Sequence, residues 1–355
     1  MKVGTASLPL HGGKAPKWLF DRMVKLAREI TTVIVVEYGP EEFLQRISHP
    51  YWFQSLGCVL GFDWHSSGLT TTTTGALKMG IKGLEQDLGL FIGGGKGGTS
   101  RKTPSEIGTV GEQIGKDFSS LVYASKMSAK VDSAALQDSF QLYHHNFFFT
   151  KTGNWAVVQQ GMNTQTRWAR RYHWLKSEVA DFVNEPHNAI ASQAKVKPLN
   201  LVASSSSETR LVSTDLAKTD PDKTVKQFSK IIELKMPHHE IINEGDIKPE
   251  NLKKILLTTY EHQPENFETL LGMSGVGPKT IRALALISEL VYNAPASRED
   301  PVKYSFAHGG KDGTPYPVDK PTYDKSIEIL KTAIRKAKIG DYEKMNAFRR
   351  LQNFL

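Results

Sequence analysis

The stretch "GMSGVGPKT", residues 272 to 280, constrains the fold of this chain more than any other. Gly275, Val276 and Gly277 join a short helix ending near Leu271 to a longer one beginning at about Pro278. The connection is too tight for a Cβ at the glycines, and Val276 plugs the gap between the two helices. The second helix starts with backbone N–H groups that have no intrahelical acceptor, which makes a ready anion site. Lys279, Thr280 and Arg282 add charge-assisted and hydroxyl contacts to the same anion.

The surroundings fit a helical unit. "KTVKQFSKIIEL", "KPENLKKILLTTYEH", "PENFETLLGM", "PKTIRALALISELVY", "KPTYDKSIEILKTAIRKA" and "YEKMNAFRRLQNF" all read as helices, several opened by proline in the first turn. The change of texture falls at "SSSSE", where Ser205 and Glu208 have capping-box spacing. The expected fold class is therefore α+β: a mixed domain over 1–203, carrying any catalysis, followed by an all-α domain over 204–355.

In the mixed part, "APKWLFDRMVKLAREI" predicts an amphipathic helix, and the β-branched run Thr31 to Val36 predicts a strand. The five threonines Thr70 to Thr74 predict a strand or exposed ribbon. "LGLFIGGGKGGTSRKT" predicts a short strand, a glycine loop and a helix. Residues 128 to about 145 predict a helix, followed by a hairpin of "NFFFT" and "WAVVQQGM" turning at Thr152, Gly153 and Asn154.

Charge narrows the partners. The 355 residues carry a formal net charge of +8, with 39% hydrophobic and 23% charged, a balance that leans toward a polyanion such as nucleic acid. A single cysteine, Cys58, excludes an internal disulfide. No apolar run is long enough for a membrane span and the first residues lack a signal-peptide core, so a cytoplasmic protein is expected. The oligomeric state is not legible.

The glycine turn resembles the helix-hairpin-helix motif of DNA repair proteins, with Met273, Gly275, Val276, Gly277 and Lys279 in the motif's places. The resemblance implies grip on a DNA backbone without base reading. Glycosylases of that superfamily carry a lysine early in the second helix and an aspartate in a "VD" motif, matched here by Lys279 and by Asp319 in "YPVDKP". That implies an alternative activity, base excision or abasic-site lyase chemistry through a Schiff base. A backbone-binding accessory protein is a further alternative.

The mixed domain offers the other chemistry. Asp63 and His65 follow an apolar run. On the expected 128–145 helix, Asp138, Gln141 and His145 fall on one side, as do Gln137, Gln141 and His144, with Asp132 a turn earlier. Gln159 and Gln160 end the next strand, positioned to orient a phosphate or water. This layout resembles metal-dependent nucleases, without an acid-x-lysine signature, and implies Mg²⁺ or Mn²⁺ held by Asp132, Asp138 and His144. Arg167, Arg170 and Arg171, interleaved with Trp168, Tyr172 and Trp174, suit phosphate pairing and base stacking on opened or single-stranded DNA. The glycine loop fails the P-loop pattern, because Gly97 follows Lys96, and is read as an anion loop using Lys96, Arg101 and Lys102.

"GFDWHSSGLTTT", "MSAKVDSAALQDSFQLYHH" and "WAVVQQGMN", joined to the glycine-turn tail, resemble an uncharacterised prokaryotic family found largely in archaea and thermophilic bacteria. The expected function is DNA processing, foremost as a divalent-metal-dependent nuclease.

Overall fold

Three consecutive phenylalanines, Phe147, Phe148 and Phe149, are each almost fully buried. Successive side chains of a strand point to opposite faces, so this run demands a sheet covered on both sides. The protein is described by a computed structural model over residues 15–62, 67–192, 195–233, 247–302 and 320–354. The chain opens with helices α1 (Lys17–Tyr38), α2 (Pro40–Ile47), α3 (Pro50–Leu60), α4 (Gly68–Gly80) and α5 (Glu85–Leu88), then strand β1 (Leu90–Lys96). A 3₁₀ turn, Gly97–Lys102, leads to α6 (Thr103–Ile114) and α7 (Ser119–Lys130), and a π-turn, Val131–Ala135, leads to β2 (Leu136–Gln137). The strands β3 (Gln141–Thr150), β4 (Trp155–Asn163), β5 (Trp168–Leu175), β6 (Ala189–Ala191) and β7 (Leu199–Asn200) follow. The remainder is helical: α8 (Ser207–Lys218), α9 (Pro221–Glu233), α10 (Pro249–His262), α11 (Phe267–Gly272), α12 (Pro278–Tyr292), α13 (Lys320–Lys336) and α14 (Asp341–Phe354).

The main sheet has five antiparallel strands in the order β1-β3-β4-β5-β6, while β2 pairs only with β7. Its two faces bury separate cores. Phe147, Phe149, Trp155, Val157, Tyr172 and Trp174 pack toward α6 and α7, in a cluster that continues through Leu216, Leu256, Leu270 and Ile281 of the later helices. Phe148, Ala156 and Val158 pack toward α1–α4 with Ile329, Leu330, Ile334 and Leu351 of α13 and α14. The change of texture near residue 204 is thus a change of secondary structure rather than a gap in packing. The α+β class stands.

The hairpin turns where expected, with Gly153 at φ +79°. Three other readings are corrected. Thr31 to Val36 continue α1, because Ile30, Ile34 and Val35 keep the helical stripe of buried residues. The threonine run is the body of α4. Threonine's β-preference is overridden there, since Thr70, Thr73 and Thr74 are buried against the sheet and Thr74 returns its hydroxyl to the Thr70 carbonyl at 2.9 Å. The helix expected to reach His145 stops at Lys130, and 141–150 is strand, so the helical spacings of Asp138, Gln141, His144 and His145 do not exist. The aromatic run that follows His145 needs alternating burial, which only a strand provides.

Candidate functional site

Strand alternation sends His144 and His145 to opposite faces of the sheet, paired in register with Gln160 and Gln159. Each histidine meets a hydroxyl from the helix covering its own face. His145 Nε2 lies 3.0 Å from Ser125 Oγ on α7, and His144 Nε2 lies 3.0 Å from Thr74 Oγ1 on α4.

On the α7 face the contacts continue as a chain. His145 Nδ1 is 2.7 Å from Gln159 Oε1, and Gln159 Nε2 donates to Asp132 Oδ2 at 2.6 Å. Trp174 Nε1 donates to the same oxygen at 3.0 Å, and His187 Nε2 bonds Asp132 Oδ1. Burial depresses the His145 pKa below its ordinary value, and the Gln159 bond and Asp132 charge oppose this only in part, so the ring is neutral at pH 7.

On the α4 face the polar groups are sealed. Gln160 Nε2 donates to the Ser67 carbonyl and to Tyr143 Oη, while its Oε1 accepts from Thr70. Arg171 donates to Thr70 and Gln54, lies 4.5 Å over the Phe53 ring, and is lowered to about 9 by burial. His144 is lowered to about 3 by burial, then by the charges of His145 and Lys96.

The α7 face carries an open cleft. The cleft, of about 650 Å³, is lined by His145 and Gln159 of the sheet, by Ser125 and Ser133 of α7 and its π-turn, and by Ser100 and Pro104 of the glycine-loop side. Its charged lining is Arg101, Lys126 and Lys130, and none of the described lining residues is acidic. Lys96 stands close by, 5.8 Å from the Tyr143 ring centroid. The glycine loop reaches the cleft because β1 lies tight on β3: a Cβ on Gly94, at φ +89°, would fall 2.1 Å from the His145 carbonyl oxygen.

The turn between α11 and α12 borders the same cleft through Gly272. Gly275 has φ +82° and Val276 is buried, as the turn requires. Lys130 donates to the Val276 carbonyl, Gln137 Nε2 donates to the Pro278 carbonyl at 2.9 Å, and Arg282 Nε donates to Gln137 Oε1 at 2.8 Å. These bonds fix the turn to the segment that carries Asp132.

The sequence expectations are therefore redistributed. His145, Gln159 and Asp132 meet, and Arg101 and the turn flank them. Lys96, Lys102, Lys279 and Gly275 are exposed and stay accessible to a ligand, whereas Thr280 is buried. Arg167 is exposed in the β4–β5 turn. Arg170 and Arg171 cannot touch a surface polymer, because both are fully buried. Arg170 pairs with Asp138 at 2.9 Å and Asp300 at 2.8 Å; burial would lower its pKa, but those carboxylates hold it above its ordinary value. Asp63, His65 and Asp319 lie outside the described residues.

The expected metal set does not assemble. Asp132 is bound to His187, Gln159 and Trp174, Asp138 to Arg170 and Tyr172, and His144 faces the other side of the sheet. Among the described residues no three His, Cys, Asp or Glu side chains are grouped to hold an ion. Sequence reading also missed Ser125, Lys126 and Lys130. Their signal was present: Ser125, Ser128 and Asp132 follow helical i, i+3, i+7 spacing, and Lys126 and Lys130 follow i, i+4.

Fold and site together define an α+β protein with a cationic cleft between a glycine loop and a helix–turn–helix junction. The chain belongs to a protein family of unknown function, DUF763, whose pattern matches residues 4–318. No curated protein and no solved structure matches it. Among the described residues, no helix is long and apolar enough to cross a membrane.

Proposed function

We propose that this protein processes DNA, with the α11–α12 turn gripping the phosphate backbone as a helix-hairpin-helix and the adjoining cleft acting on a phosphodiester. The observation that carries the reading is the lining of the cleft. Arg101, Lys126 and Lys130 converge with no described carboxylate opposite them, on a floor where a neutral His145 stands within reach of a substrate. A phosphodiester brings the single negative charge that such a lining lacks, and the imidazole supplies proton transfer. The net charge of +8 and the exposed Lys279 at the start of α12 favour the same polyanion.

Supercoiled plasmid tests this, incubated with Mg²⁺, Mn²⁺ or EDTA beside a His145→Asn variant. Nicking that is lost in the variant is expected, and the EDTA lane decides whether a divalent ion takes part. Nicking only with a divalent ion would move the chemistry to ligands outside the described residues, Asp63 and His65 among them. Intact plasmid in every lane with retained gel-shift binding would leave an accessory binder. A borohydride-trapped adduct on abasic DNA that disappears in Lys279→Ala would instead select the lyase alternative, in which Lys279 is the amine.

A further inference from the structure

Proton positions along the α7-face relay follow from its acceptors. Gln159 Nε2 faces two oxygens, Asp132 Oδ2 at 2.6 Å and the Ser128 carbonyl at 3.2 Å, so its NH₂ group occupies that side and Oε1 turns to His145. An amide oxygen only accepts, which places the imidazole proton on Nδ1. Nε2 is left as a lone pair, and the Ser125 hydroxyl at 3.0 Å donates to it. A serine within a helix commonly returns its hydroxyl to a carbonyl one turn back, as Ser128 does to Ser125 at 3.2 Å. Ser125 instead spends its proton across the gap to the sheet.

We infer that Ser125 is a nucleophile, activated by His145 and oriented through Gln159 and Asp132, that attacks the phosphorus of a nucleic-acid phosphodiester seated among Arg101, Lys126 and Lys130. This rests on the phosphodiester reading of the cleft. The serine–imidazole–amide order is that of an activated hydroxyl with an oriented base. As the bond from Oγ to phosphorus forms, Nε2 takes the serine proton. The bond from phosphorus to the leaving sugar oxygen, which stands in line with Oγ on the opposite side, breaks, and that oxygen takes a proton from solvent while the imidazolium keeps the serine proton. The products are a seryl phosphodiester and a free hydroxyl end. Water then attacks phosphorus from the side the sugar left and gives its proton to solvent; the seryl bond breaks, the imidazolium returns its proton to Oγ, and the net reaction is hydrolysis. The three cations offset charge on the non-bridging oxygens, the place an oxyanion hole fills in acyl transfer.

The full-length protein is treated with a fluorophosphonate reagent without nucleic acid and mapped by mass spectrometry. In parallel it is mixed with labelled plasmid and single-stranded oligonucleotide and quenched in SDS to catch covalent adducts. Both the reagent and the adduct are expected on Ser125. Ser125→Ala should lose both and slow cleavage by about 100-fold or more, with gel-shift affinity little changed. His145→Asn should lose the fluorophosphonate label. Ser177→Ala, at an exposed serine outside the cleft, should retain label and cleavage, and thermal melts identify any variant that fails to fold. Cleavage undiminished in Ser125→Ala, or reagent found elsewhere or nowhere, overturns the nucleophile while gel shifts judge the DNA reading separately. Label on Ser125 with no nucleic-acid binding overturns the phosphodiester substrate.

Discussion

His144 and His145 are neighbours in sequence and lie on opposite faces of one sheet, each 3.0 Å from a helix hydroxyl. What differs is where that hydroxyl's own proton goes. Thr74 donates to the Thr70 carbonyl at 2.9 Å, so it can only accept from His144 Nε2–H, and His144 Nδ1 is left with no partner among the described residues. Ser125 donates to His145, whose other nitrogen is held by Gln159. One pair is a brace beneath α4 and the other is a base facing a cleft. The same two residue types thus take unlike roles according to the third group that fixes the tautomer.

The contrast breaks first in activity. His145→Asn should cut phosphodiester cleavage by about 10²–10⁴-fold, while His144→Asn should leave it within about tenfold, read from initial rates on the same plasmid. Equal losses would erase the distinction between the faces.

Stability tests the buried ion pairs of Arg170. Arg170→Met leaves Asp138 and Asp300 buried without their cation and should cost about 3–5 kcal/mol in urea unfolding, because an uncompensated buried charge is what remains. An Arg170→Met, Asp138→Leu double variant should recover part of that loss, and no recovery would mean that packing, not charge, is what Arg170 supplies.

Acid sharpens the comparison further. His144 in the folded state is lowered to about 3 from 6.5, so between those values the unfolded chain binds a proton that the native chain refuses. Stability on this account is intact above pH 6.5 and falls as the pH drops toward 3, by up to about 1.4 kcal/mol per pH unit for one such site. His145 and His173 are depressed in the same direction and steepen the fall. Melting temperatures of wild type and His144→Asn from pH 7 to pH 4 should converge on acidification, and parallel curves would remove His144 as a source of the slope.

The smallest effect belongs to the turn. Lys279→Ala should weaken DNA binding uniformly across sequences and reduce the slope of log affinity against log salt by about 1. An unchanged slope would place the backbone contact elsewhere.

Much of this architecture was legible because its signals are local. Thr152, Gly153 and Asn154 marked the hairpin, and prolines at the helix starts marked α10 and α12. The errors arose where long-range packing decides the outcome. Thr70 to Thr74 are helical because their hydroxyls find Gln160, His144 and their own carbonyls, none of which periodicity reports. His145 was read on a helix where the chain is a strand, while Gln159 was read on its strand, so the meeting of His145 with Ser125 was overlooked. Their meeting depends on the β3–β4 register, on the π-turn that ends α7 and on the packing of α7 against the sheet, and periodicity does not report that packing.

The helices α13 and α14, past the end of the family match, close the core over α1 and α3 by burying Leu330, Ala333, Ile334 and Leu351. During synthesis, therefore, α1 and α3 leave the ribosome with an apolar face that stays uncovered until α13 and α14 are made. Each buried leucine or isoleucine there is worth about 1.5–3 kcal/mol. A chain cut short before α13 would keep its cleft and turn residues and yet lack the lid of its second core, which makes translation through α14 a condition for a stable protein.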